Sequence, residues 1–188
     1  KKTIKRDVEE AKRLLFSAGY IDGINLRLVI AESFERSEMA SKIKEQLSRI
    51  GVNVELEVLE MDAFIAMLES GEIDMFQLGW IPDTLDPDSA LRPCFYSRTD
   101  LKNANYIGIS DGELDNLLDE GSLSLDEDKR KEIYEAAQER ILELVPAIFL
   151  YVDKITLAMP RHYEGVIMNP FGYHFLAYVK PILSTIDE

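Results

Sequence analysis

Residues 41–80 read SKIKEQLSRIGVNVELEVLEMDAFIAMLESGEIDMFQLGW. Met39, Ala40, Ile43, Leu47 and Ile50 recur at helical spacing, and Gly51 stops the run. Val52, Val54, Leu56 and Val58 then alternate with Asn53, Glu55 and Glu57, the pattern of a strand with one wet face. Asp62 is placed to cap a short helix carrying Phe64, Ile65, Met67 and Leu68, which Gly71 ends. The mostly apolar run Ile73–Gly79 suits an interior strand. Helix, strand, helix and strand in such quick succession predict crossover units on a largely parallel sheet.

The same rhythm extends toward the N-terminus. Asp7 and Glu10 form a capping box ahead of Val8, Ala11, Leu14, Leu15 and Ala18, which share one helical face. Leu26, Leu28 and Ile30 alternate with Asn25, Arg27 and Val29 in the strand that follows. Strands are expected near 25–31, 52–59, 73–79 and 147–152, and helices near 8–18, 36–50, 63–70, 111–120 and 126–144. Ser110 with Glu113, and Ser124 with Glu127, are the expected caps of the last two helices. Residues 155–159 read as one more strand.

Two regions break the pattern. Residues 80–109 hold Pro82, Pro87 and Pro93 among turn formers and read as a long irregular excursion after a strand, where an α/β sheet usually carries its binding loops. The tail, 160–188, sets Tyr163, Phe171, Tyr173, His174, Phe175 and Tyr178 among glycines and prolines. It predicts no helix, at most a short strand around 174–179, and a surface that needs covering.

With 46% apolar and 30% charged residues the composition is that of a folded globular chain. Its net charge of −14 makes it a poor partner for nucleic acid or an anionic membrane, because both need a cationic surface. No run approaches the roughly 18 apolar residues of a membrane span. Cys94 stands alone, so no internal disulfide forms. The start, Lys1-Lys2-Thr3-Ile4-Lys5-Arg6, is cationic but has no apolar stretch behind it. The protein is therefore expected to be cytoplasmic, or its targeting segment lies outside this chain.

Few residues carry chemistry. The sequence has no phosphate loop, no serine elbow and no paired-histidine zinc motif. His162 and His174 are expected to be surface or packed residues, and Cys94 a small buried hydrophobe rather than a nucleophile. Twelve carboxylates against four basic residues in 111–143 read as a solvated helical face without a calcium-loop pattern. Asp83, Asp86 and Asp88 are the one dense carboxylate cluster in a loop. They suit turn capping, hydrolytic chemistry, or pairing with a cationic ligand group. Trp80, at a strand end, suits the core or the wall of a ligand pocket.

Five segments together resemble the second, C-terminal lobe of the family 5 extracellular solute-binding proteins that serve peptide and nickel ABC importers. They are DVEEAKRLLFSAGYIDG (7–23), the 41–80 block ending in Gly-Trp, DPDSAL (86–91), NANYIGISDGELDNLLDEG (103–121) and RKEIYEAAQERILELVPAIFLY (130–151). The resemblance implies a periplasmic-binding-protein-like α/β lobe over 1–152, its mixed or mostly parallel sheet flanked by helices. It implies a returning segment, 153–188, that crosses the hinge toward a first lobe absent here. It also implies that Asp83, three positions after Trp80, pairs with the α-amine of a bound peptide. Gln77 stands where some oligopeptide binders place a basic residue for the peptide carboxylate, and Ile81-Pro82 departs from the usual small residues. Tyr106 is a further expected neighbour of the ligand.

The function this implies is capture of an oligopeptide or dipeptide and its delivery to membrane permease subunits, with no cofactor and no metal. The same scaffold also serves oligosaccharides and nickel chelates. The expected location is extracellular or periplasmic, with or without a lipid anchor. The competing readings are a carboxylate-dependent hydrolase built on Asp83, Asp86 and Asp88, and a stand-alone regulatory or scaffolding domain.

Overall fold

In the computed structural model, residues 5–97, 105–169 and 176–182 are described. The chain divides into two compact units, 1–79 and 80–188. No described helix is long and apolar enough to cross a membrane.

The first unit holds α1 (Val8–Ser17), β1 (Ile24–Ala31), α2 (Phe34–Ser48), β2 (Val52–Leu59), α3 (Met61–Ser70) and β3 (Met75–Gln77). The strands form one parallel sheet in the order β2-β1-β3, with Ile24 opposite Val52 and Leu28 opposite Met75. This is the α/β sheet expected from the alternation of strands and helices. Leu28, Ile30, Val52 and Val54 point to one face and pack with Ala40, Ile43 and Leu47 of α2. Val29 and Ala31, on the alternate positions of β1, are fully buried on the opposite face. Gly23 has a φ of +85°, and a Cβ there would run into the carbonyl oxygen of Gly51. The close approach lets the Ile24 amide reach that oxygen at 3.1 Å and open the ladder.

β3 is shorter than the expected 73–79. Before it, the Asp74 carboxylate accepts the Arg27 amide at 2.8 Å, and Arg27 donates to the Glu72 carbonyl, so side chains replace ladder bonds at this end. Three caps also differ from expectation. α3 starts after Glu60 with no side-chain cap, leaving Asp62 in its first turn.

The second unit holds α4 (Pro87–Phe95), α5 (Gly112–Leu123) and α6 (Glu127–Leu144), then β4 (Tyr163–Glu164) paired antiparallel with β5 (Lys180–Pro181). Asp111 caps α5 in place of Ser110, accepting the Leu114 amide at 2.8 Å. Asp126 caps α6 in place of Ser124, accepting the Lys129 amide at 3.0 Å. In both, a charged carboxylate one or two residues nearer the helix wins over a hydroxyl. The core joins Phe95 and Tyr96 to Leu114, Leu118, Tyr134, Ala137 and Ile141.

α4 lies inside the segment expected to be irregular. Asp86 caps it by accepting the Asp88 amide, and Pro87 sits at its first position, where a missing N–H costs nothing. Pro93, inside the helix, had argued against it. The strand expected at 147–152 does not form, nor does the one at 155–159. Residues 147–152 carry no regular secondary structure, and Ile148, Phe149 and Val152 are exposed. A strand exists only against a partner edge, and none of the described residues supplies one. In the tail, Leu176–Tyr178 is a single 3-10 turn in place of the expected strand, while Phe171, Tyr173, His174 and Phe175 lie outside the described residues.

Gly121 lies inside α5, and a Cβ there would come within 2.8 Å of the buried Tyr134 ring. Helix propensity alone favours Gly121→Ala by about 1 kcal/mol. The overpacking of a ring held at both ends should outweigh it, giving a net loss of about 1–2 kcal/mol in urea unfolding of the 188-residue chain. A gain in stability would show that Tyr134 moves freely.

Candidate functional site

Trp80 opens the second unit, and the loop from Trp80 to Ser89 folds back on itself. The Trp80 indole N–H donates to the Ser89 carbonyl at 3.2 Å. The Thr84 hydroxyl lies 2.9 Å from Ser89 Oγ, which is in reach of the Thr84 and Asp86 carbonyls at 3.0 and 2.8 Å. These bonds close a turn whose outer edge carries Ile81, Asp83 and Leu85, all exposed. Trp80 remains 43% exposed.

The base of the loop is bolted to the helices by charge-assisted bonds. Arg130 of α6 donates to Asp86 Oδ1 at 2.8 Å and to the Gly121 carbonyl at 2.9 Å, with its guanidinium over the Tyr134 ring. The Tyr134 hydroxyl donates to Asp88 Oδ1 at 2.9 Å. Arg92 grips both Asp88 oxygens at 3.0 Å, and reaches Asp119 Oδ1 at 2.9 Å. The Arg130 hydrogen bond is the main cause holding the Asp86 carboxyl below its ordinary range. Burial, and then the bond to Asp88, push the Tyr134 hydroxyl up to about 12, so it stays a donor.

The three carboxylates singled out in the sequence therefore part company. Asp86 and Asp88 are capping and ion-pairing groups. Asp83 is exposed and has no hydrogen-bond or ion-pair partner among the described residues. Hydrolysis by a carboxylate pair gains nothing from Asp86 and Asp88, whose oxygens already serve arginines and a tyrosine.

Of the other expected residues, Tyr106 is half-buried in the turn after Asn105, within the same unit. Gln77 belongs to β3 in the first unit. Its Nε2 donates to Met39 Sδ at 3.2 Å, and its Oε1 is buried without a partner among the described residues. No cluster of metal-ligating side chains exists among the described residues. His162 stacks beside Tyr163, with ring centroids 4.5 Å apart. An open depression of about 680 Å³ on the first unit, lined by Lys12, Phe16, Tyr20 and Ile21, includes none of the expected residues.

Sequence reasoning missed the supports: Ser89, Arg92, Arg130 and Tyr134. A missed local signal is Asp86-Pro87-Asp88, which fits a helix start but lies in the segment expected to be irregular. The arginines that meet these carboxylates lie 4 and 44 residues away in the chain.

The chain matches the model of "Bacterial extracellular solute-binding proteins, family 5 Middle" over residues 1–102, and it belongs to that family. It is 24% identical to the dipeptide-binding protein of Escherichia coli (strain K12) over 93% of its own length and 34% of the relative's. A dipeptide-binding protein of Pseudoalteromonas sp. SM9913, crystallised with Met-Leu, superposes with a TM-score of 0.74 at 27% identity, over 93% of this chain and 36% of that one. HbpA2 from Haemophilus parasuis shares the fold, with a TM-score of 0.78 at 24% identity over 94% and 36%. The chain spans about a third of the length of these relatives.

Cys94 packs against the core of the second unit, and burial pushes its thiol up to about 11. At pH 8 roughly one molecule in a thousand would carry the reactive thiolate. Ellman's reagent should leave folded protein unlabelled for hours and label it fully in urea. Rapid labelling of the folded chain would place the thiol at the surface.

Proposed function

We propose that this chain forms one lobe, the C-terminal one, of a solute-binding protein that captures peptides for an ABC importer outside the cytoplasmic membrane. Asp83 receives the peptide's α-ammonium and Trp80 supplies the apolar wall. The observation that carries this reading is the contrast within one loop. Asp86 and Asp88 are consumed by arginines, while Asp83 is presented outward with no partner among the described residues. An unpartnered carboxylate and an exposed indole three positions apart in one loop suit a charged, partly apolar ligand end. Family membership and dipeptide-binding relatives support the same reading. On this view the protein binds and releases without catalysis.

In the same account residues 153–188 return toward the part of the polypeptide absent here, and 1–152 form the body of the lobe. Tyr106, in the same unit as Trp80 and Asp83, is the further residue of the ligand wall. Gln77 offers no charge to a peptide carboxylate, which favours ligands held mainly by their amino end. The partners are then the first lobe and the membrane permease subunits, and no cofactor is required.

Asp83→Asn in the full-length protein keeps the shape and removes the charge. It should weaken free-amine peptides by about 2–5 kcal/mol, the loss expected when one partner of an enclosed ion pair is truncated. N-acetylated peptides should bind poorly to both forms. Unchanged calorimetric affinity for free-amine peptides would reduce Asp83 to a turn residue, and sugars or metal chelates would become the better cargo. The 188-residue chain alone should bind the same peptides far more weakly than the whole protein, because one wall leaves half the ligand wet. Equal affinities would sink the two-lobe account.

A further inference from the structure

An α-helical carbonyl accepts the N–H four residues ahead. In α4 the residue four ahead of Ser89 is Pro93, which has no N–H. The proline ring also crowds that carbonyl and tilts it away from the helix axis. The Ser89 carbonyl thus lacks its usual donor four residues ahead, and it is this oxygen that accepts the Trp80 indole N–H at 3.2 Å. The indole has a single donor, so this one bond satisfies it.

We propose that Pro93 is a positioning residue for Trp80: by leaving the Ser89 carbonyl without its usual helical donor, it creates the acceptor that docks the indole. Ser89 takes part twice, through its carbonyl to Trp80 and through its hydroxyl to Thr84. The Asp86–Arg130 pair fixes the start of α4, so that the carbonyl has a set position. A proline inside a helix ordinarily weakens it. Here the same gap in the ladder fixes the one tryptophan of the chain, three positions before Asp83 in the same loop. The inference deepens the reading of Trp80 and Asp83 as a ligand wall and rests on that reading for its effect on binding.

A single tryptophan gives a single indole N–H resonance and a single emission band. Pro93→Ala restores a competing backbone donor in the 188-residue chain. The melting temperature should stay the same or rise. Exchange of the indole proton with water should accelerate about 3- to 10-fold, the scale of one net hydrogen bond, and the emission should shift to the red. Unchanged exchange and emission would overturn the proposal. Trp80→Phe is the second variant, since it keeps a ring and removes the donor. Pro93→Ala should raise the melting temperature more in that background, where nothing competes for the Ser89 carbonyl, and equal gains in both backgrounds would refute the coupling. In the full-length protein, Pro93→Ala should weaken a free-amine dipeptide about 3- to 10-fold. Faster indole exchange with unchanged dipeptide affinity would uphold the positioning role and remove Trp80 from the ligand wall.

Discussion

Arg130 adds a polar tie to three helices of the second unit that also share its apolar core. Its guanidinium takes the Asp86 carboxylate, which caps α4, and the Gly121 carbonyl in α5, while its own backbone belongs to α6. The loop ahead of α4 contributes little apolar surface, with Ile81 and Leu85 exposed, so hydrophobic burial cannot fix its shape. Hydrogen bonding does so instead. The carboxylates at the base of the loop meet a guanidinium, a hydroxyl or an amide, and a network whose members are satisfied is stiffer than its separate pairs.

That constraint separates two jobs that carboxylates in one short loop could otherwise share. Asp86 and Asp88 face inward and are neutralised by arginines, which holds the backbone. Asp83 is exposed and has no ion-pair or hydrogen-bond partner among the described residues. The spacing follows from the turn: the residues before the cap lie outside the helix, and the cap and the first turn face the helix bundle. A helix begun by Asp-Pro-Asp thus supplies both the anchor and the direction in which the preceding loop is presented.

The first unit supplies a rigid parallel sheet. Strands β2, β1 and β3 run the same way, and Trp80 follows the last residue of β3 by three positions. Loops at the carboxyl ends of parallel strands are the common place for ligand contacts in α/β proteins, because the crossover helices leave that end open. The chain carries about a third of the length of its relatives in the family.

Periodicity in the sequence was enough to locate β1, β2 and the five helices other than α4, because each buries a regular apolar face whose spacing is local. The strand end placed Trp80 before a loop, whereas choosing Asp83 over Asp86 and Asp88 came from the family resemblance and its three-residue offset. Tertiary structure alone decided three things. The apolar run 147–152 failed to become a strand because strand formation depends on a partner edge, which periodicity does not encode. α4 formed despite Pro93, because a capped start and packing against α5 and α6 outweigh one missing bond. Asp86 and Asp88 became anchors while Asp83 did not, because Arg130 and Tyr134 reach them from a helix more than 40 residues away, a distance only the fold removes.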